Sequence, residues 1–265
     1  MQIFGIVNVT PDSFSDGGET LDPGRAIAHG LSLVEEGADV LDIGGESTRP
    51  GAEPVPVEDE LRRVIPVIDG LVREVGVPLS IDTRKPEVAE AAIGAGASIW
   101  NDVTALRFGG ENAPLAAKLG CHVCLMHMQG EPGTMQQEPR YNDVVSEVYR
   151  FLESRIATCA RAGIPKERII ADPGIGFGKT LEHNLALFRE MERFAELGTR
   201  TLLGASRKRF IAALDRDGPA SERLGGSIAA SLRGLEAGFT YTRVHDVAAT
   251  RQALAVARAL KRNAS

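Results

Sequence analysis

Eight times along the chain a short apolar run is followed by a helix-like stretch, and six of the eight runs end in a polar or charged residue. The runs are Ile3–Asn8, Val40–Ile43, Leu79–Asp82, Ser98–Asp102, His122–Met126, Ile169–Asp172, Thr201–Ser206 and Thr240–His245. Parallel strands need a crossover between them, usually a helix, so this rhythm predicts an α/β chain closed into a (β/α)8 TIM barrel. The length of 265 residues suits one such barrel, so residues 1–265 are expected to form a single domain. In this architecture chemistry gathers at the carboxyl ends of the strands and in the loops after them. The residues that close each run are therefore candidates before any family is considered.

Composition narrows the partners. A net charge of −6 and a pI of about 5.5 give no reason to expect nucleic acid or an anionic membrane. An anionic substrate must then be met by a local basic cluster. No apolar run reaches the ~18 residues of a membrane span, and the opening Met-Gln-Ile-Phe-Gly-Ile has no basic leader, so a cytoplasmic location is expected. Cys121, Cys124 and Cys159 are too few for a disulfide framework. Cys121 and Cys124 spell C-x-x-C, but positions three apart on a strand face opposite ways, so buried structural thiols are expected rather than a metal clip.

Helices are predicted near 23–37, 58–75, 86–96, 112–119, 143–163, 181–196, 220–236 and 246–262, with Pro86 and Pro114 in first turns and Asp246 at an N-cap. Four connections, 9–22, 44–57, 127–142 and 206–219, are long enough to suggest function. Strand alternation assigns facing. Leu79 and Ile81 share one face, toward the outer helices, and Ser80 and Asp82 the other. Asn8 and Asp172 turn toward the axis, and Arg243 and His245, two apart, reach one face.

Asp82, Asn101 and Asp172 thus end three strands with inward polar groups. Any one of them alone can be a cap or a brace for a loop; together they suit a flat heterocycle with adjacent N–H donors, because a carboxylate accepts two parallel hydrogen bonds. Arg243 and His245 form the anion candidate at the strand 8 end, with structural pairing of the arginine as the plain alternative. Asn8 lies beside that edge once the barrel closes, where its amide oxygen can ligate Mg²⁺ held chiefly by a substrate phosphate. Ser206-Arg-Lys-Arg209 can open a helical turn that receives a carboxylate or phosphate, or be a solvated basic loop. Gly174-Ile-Gly-Phe-Gly-Lys179 lacks the glycine at position 173 that a Walker loop requires, and reads instead as a turn admitting a flat ligand beside Phe177. Loops 8–18, with its lone Phe14, and 44–51 read as lids that exclude water. Met126 ends strand 5, where it packs in the core or lines the ring slot.

Together the segments Gly5–Asp16, Gly44–Pro50, Asp82–Pro86, Asn101–Val103, Asp172–Lys179, Ser206–Lys208 and Arg243–His245 resemble the dihydropteroate synthase family of the folate pathway, the target of sulfonamides. Seven motifs in family order cover nearly the whole chain. The resemblance implies a transferase that joins p-aminobenzoate to 6-hydroxymethyl-7,8-dihydropterin diphosphate, acting as a homodimer with Mg²⁺. It implies that Asp82, Asn101, Asp172 and Lys208 hold the pterin, and that Asn8, Arg243 and His245 hold the diphosphate, with the metal near Asn8. It assigns Ser47, Thr48, Arg49 and Pro50 to a loop serving both substrates, Phe14 and Asp16 to closure of the p-aminobenzoate site, and Phe177 and Met126 to the ring borders. The carboxylate of p-aminobenzoate is expected at the helix start after Ser206, and Asp16 beside a cationic methylene.

Rival functions make different demands. A catalytically silent pterin binder would keep the three inward polar residues and lose the loop and anion residues, all of which are present. A pterin-dependent methyltransferase would have no use for Arg243 with His245. A Schiff-base aldolase acting through Lys208 would be revealed by borohydride trapping.

Overall fold

The structure is a computed structural model describing residues 1–10, 22–48 and 51–261, the side chain of Lys261 excepted. Its eight strands are β1 (Gln2–Asn8), β2 (Val40–Gly44), β3 (Leu79–Asp82), β4 (Ile99–Asp102), β5 (His122–Met126), β6 (Ile169–Asp172), β7 (Arg200–Gly204) and β8 (Tyr241–Val244). They pair in parallel in sequence order and close β8 onto β1, as the repeated run-and-helix pattern predicts.

The helices of the described residues are α1 (Pro23–Glu35), α2 (Val57–Glu74), α3 (Pro86–Gly94), α4 (Ala113–Leu119), α5 (Val144–Arg161), α6 (Leu181–Arg189), α7 (Glu192–Ala195), α8 (Arg209–Leu214), α9 (Leu224–Glu236) and α10 (Val247–Lys261). Local chemistry sets their starts. Asp143 accepts from the backbone N–H of Ser146, Thr180 and His183 form a reciprocal capping box, and Pro86 and Pro114 occupy first turns. Asp246 precedes α10 as expected, although both of its carboxylate oxygens engage Arg207. The predicted helix over 181–196 is two helices, and that over 220–236 is a 3₁₀ turn at Ala220–Glu222 followed by α9. No described helix is long and apolar enough to cross a membrane.

Strand alternation sorts the core into two shells. Outward residues such as Ile3, Leu41, Ile43, Leu79, Ile81, Val123, Ile169 and Leu203 pack beneath the helices. Inside the barrel, Phe4, Val40, Ile99, Cys124, Ile170, Leu202 and Tyr241 form a separate apolar plug. Burying each of the large ones contributes about 1.5–3 kcal/mol. Cys121 belongs to the outer shell and Cys124 to the plug, so the C-x-x-C pair straddles the sheet as expected; all three cysteines are buried thiols. Burial pushes Cys121 and Cys159 up to about 11.

Candidate functional site

Two residues beyond the plug, the same inward faces turn polar. Asp42 on β2, Asp82 on β3, Asn101 on β4, Asp172 on β6 and Arg243 on β8 share this upper layer. Asp42, Asn101 and Asp172 are buried, and Asp82 and Arg243 nearly so.

Arg243 joins the opposite sides of the mouth. Its Nε donates to Asp42 Oδ2, and its Nη2 to Asp82 Oδ2 at 2.6 Å. Asn101 Nδ2 donates to the same Asp42 oxygen at 3.1 Å. Burial works against the guanidinium's charge, but the carboxylates of Asp42 and Asp82 outweigh it and hold Arg243 above its usual range. Burial raises Asp82 to about 7 against the pull of Arg243. Structural pairing of the arginine, the plain alternative, is therefore present, and it joins the two candidate subsites. Among the described residues Nη1 donates no hydrogen bond.

Asp172 faces the mouth from β6 and braces the glycine-rich turn, accepting from Gly174 N–H at 2.7 Å. Burial raises its pKa, opposed chiefly by Lys208. The turn itself can be built only with glycine at two points. Gly174 (φ +69) and Gly178 (φ +58) are left-handed, and a Cβ on either would run into the carbonyl oxygens of His127 and Gln129. Lys179 fastens the turn from beneath. Its buried Nζ donates to the carbonyls of Gly174 (2.9 Å), Phe177 (3.0 Å) and His127 (3.2 Å) and lies 3.0 Å from His127 Nδ1. Burial, then the Lys179 charge, drives the His127 imidazole down to about 2.

Lys208 reaches over this turn, donating to Ile175 O with its Nζ 4.3 Å from the Phe177 ring centroid. Burial lowers it to about 7, with Asp172 pulling the other way. Phe177 packs against Val103, Met126, Met128 and Met135, an apolar wall beside the polar groups. Met126 is thus both core and wall. On the β7–β8 side, Ser206 Oγ lies 3.0 Å from His245 Nδ1 and accepts from His245 N–H at 3.3 Å, tying the two strand ends together. Arg207 has φ +58 and is committed to Asp246, so of the basic run only Lys208 turns to the mouth while Arg209 is exposed.

Asn8 closes β1 half-buried; β1 lies between β8 and β2, which carry Arg243 and Asp42. Ser47 and Thr48 are half-buried on the loop after β2. Its root is held by Glu46, which pairs with Lys85 and, at 3.1 Å, with Arg84; Lys85 also grips the fully buried Glu60 of α2. Phe14, Asp16, Arg49 and Pro50 lie outside the described residues.

Sequence reading passed over Asp42 and Lys179. Asp42 was visible as a single acid in the run Val40-Leu-Asp-Ile43, in phase with the inward Val40. Lys179 had no signal of its own, since only the folded turn shows three carbonyls converging on one point. Asp102 illustrates the opposite case. Next to Asn101 and out of phase with it, it is spent on Thr104 N–H (2.7 Å), Thr104 Oγ1 (2.8 Å) and Leu106 N–H (2.8 Å), bracing the loop.

Residues 4–245 match the family model described as pterin binding enzyme. The dihydropteroate synthase of Neisseria meningitidis serogroup B is 51% identical over 264 residues, covering 98% of this chain and 92% of the relative. The dihydropteroate synthase of Xanthomonas albilineans with 4-aminobenzoic acid superposes with a TM-score of 0.92 at 53% identity, covering 98% of this chain and 93% of that one. The same organism's enzyme in complex with 7,8-dihydropteroate gives a TM-score of 0.88 at 50% identity over the same shares.

Proposed function

Because the chain belongs to the pterin-binding enzyme family, among its dihydropteroate synthases, we infer that it condenses 6-hydroxymethyl-7,8-dihydropterin diphosphate with p-aminobenzoate, releasing diphosphate and 7,8-dihydropteroate. The observation that carries this reading is the single upper layer in which Asp82, Asn101 and Asp172 converge beside Arg243. Carboxylates and an amide match a bicyclic ring edged with N–H donors, and a cation beside them matches its anionic tail.

We assign the pterin to Asp82, Asn101, Asp172 and Lys208, walled by Phe177 and Met126. The diphosphate falls to Arg243 and His245, whose cation and ring N–H stabilise charge growing on the leaving group. Ser206 orients that imidazole through its hydroxyl contact. Mg²⁺ would be held by the Asn8 amide oxygen together with diphosphate oxygens and would supply further charge neutralisation; a neutral oxygen at the strand end, with no cluster of His, Cys, Asp or Glu able to hold a metal among the described residues, fits an ion that arrives with its substrate. The electron-rich dihydropterin shares the positive charge left on the methylene, so departure runs ahead of attack, and Asp16 stabilises that cation. p-Aminobenzoate attacks as a neutral amine and needs no strong base. Ser47, Thr48, Arg49, Pro50 and Phe14 close over the second substrate, with its carboxylate received near Ser206. With this reading we propose a homodimer, for which exposed Val256 and Leu260 on α10 offer an apolar face, and a cytoplasmic location.

The deciding assay combines purified protein, the pterin diphosphate, p-aminobenzoate and Mg²⁺, and follows diphosphate and dihydropteroate together. The two products should appear in equal amounts; diphosphate release without dihydropteroate would refute the condensation.

A further inference from the structure

We propose that Asp42 is a positioning residue for this reaction, fixing the Arg243 guanidinium so that its outer edge meets the departing diphosphate. The inference rests on the assignment of Arg243 to the diphosphate.

Asp42 lies two residues above Val40 on the inward face of β2 and is wholly buried. Its Oδ2 accepts from Arg243 Nε and from Asn101 Nδ2, while Oδ1 is buried with no partner among the described residues. Pairing across β2 and β3 sets it beside Ser80, whose Oγ is likewise buried and unpartnered. A buried ion pair with an idle carboxylate oxygen is a poor device for stability; well-packed apolar residues in place of both Asp42 and Arg243 would do as well or better. What Asp42 does is directional. It grips Nε, the nitrogen at the root of the fork, and so fixes the plane of the guanidinium. Nη2 then falls on Asp82 and Nη1 donates to nothing among the described residues. Without that grip, Arg243 and Asp82 can close into the two-point fork that arginine and carboxylates favour. The fork would take up both terminal nitrogens and cover Asp82 as well.

The test compares Asp42→Ala, Asp42→Asn, Arg243→Ala and the double variant Asp42→Ala/Arg243→Ala, with the folded fraction of each set by circular dichroism. Asp42→Ala should lower kcat by roughly ten- to a hundredfold, since misplaced reacting groups cost on that order, and leave KM for p-aminobenzoate within about threefold. Asp42→Asn, whose amide oxygen still accepts from Nε, should recover most of the loss. In the Arg243→Ala background Asp42→Ala should cost little more, because the two act as one unit. Near-native kcat in Asp42→Ala beside a crippled Arg243→Ala would overturn the inference alone, as would losses that multiply in the double variant. Near-native Arg243→Ala would remove the assignment of Arg243, and the inference with it. Should Asp42→Ala not fold, the wild-type Arg243 Nε–H resonance, assigned with Arg243→Lys, provides the readout. It should stay protected from exchange when diphosphate is added; loss of that protection would show that Asp42 lets go and would overturn the inference.

Discussion

The lower and upper layers of the barrel interior hang from the same strands and face the same axis, yet they answer to different demands. In the lower layer Phe4, Val40, Ile99, Cys124, Ile170, Leu202 and Tyr241 fill the space, with Phe4 and Tyr241 edge to face at a centroid distance of 5.0 Å. In the upper layer Asp42, Asp82, Asn101, Asp172 and Arg243 are buried or nearly so, and burial disfavours the charges of Asp82, Asp172 and Arg243. Distance along a strand, not facing, therefore separates residues that hold the barrel from residues that use it. A polar upper layer costs stability that the plug and the outer shell must supply.

That contrast can be broken or sharpened by substitution. The largest effect is expected from Arg243→Ala, which should lower kcat/KM by about two to three orders of magnitude, the usual loss of a preorganised charge partner, while the carboxylates of Asp42 and Asp82 left without their cation also lower the melting temperature. Steady-state kinetics beside calorimetry checks both halves; a large fall in melting temperature with intact turnover would erase the distinction. Phe4→Ala should do the reverse, destabilising by about 3–5 kcal/mol in chemical denaturation while the folded fraction keeps its pterin affinity. Asp172→Asn should weaken pterin binding by roughly ten- to a hundredfold, because an amide cannot accept both ring hydrogen bonds and also receive Gly174 N–H. Isothermal titration with the pterin alcohol measures this.

The pH profile comes next. Burial raises Asp82 to about 7, so below neutrality it gains a proton and can no longer accept two parallel hydrogen bonds as a carboxylate; burial lowers Lys208 to about 7, so above neutrality it loses its charge. The free-enzyme profile of kcat/KM should therefore peak near neutrality and fall on both sides, and Lys208→Arg should remove the alkaline limb. A flat profile from about pH 5 to 9 would count against these roles. The smallest effect is Cys124→Ala in the plug, about 1 kcal/mol of stability with turnover unchanged.

The sequence carried the fold far because strand, loop and helix recur with fixed chemistry. All eight runs are strands, and Leu79 and Ile81 face outward as their alternation requires. Asn101 and Asp102 are both polar at one strand end, and strand phase in the folded barrel is what separates their roles. Asp82, Asn101, Asp172 and Arg243 were legible as inward strand-end groups. That Arg243 would sit on Asp82 was not, because their contact spans 161 residues and depends on closure of the whole barrel. Arg207 misled for a related reason. Its composition joins it to Lys208, but a left-handed backbone turns it to Asp246.

Lys179 ties three carbonyls from two successive connections to one ammonium group. Neither connection can swing open alone without stripping a buried cation of acceptors. The two therefore form one hinged plate, and amide exchange should report a common opening rate for residues 127–129 and 174–178, with a guest at the ring slot closing both.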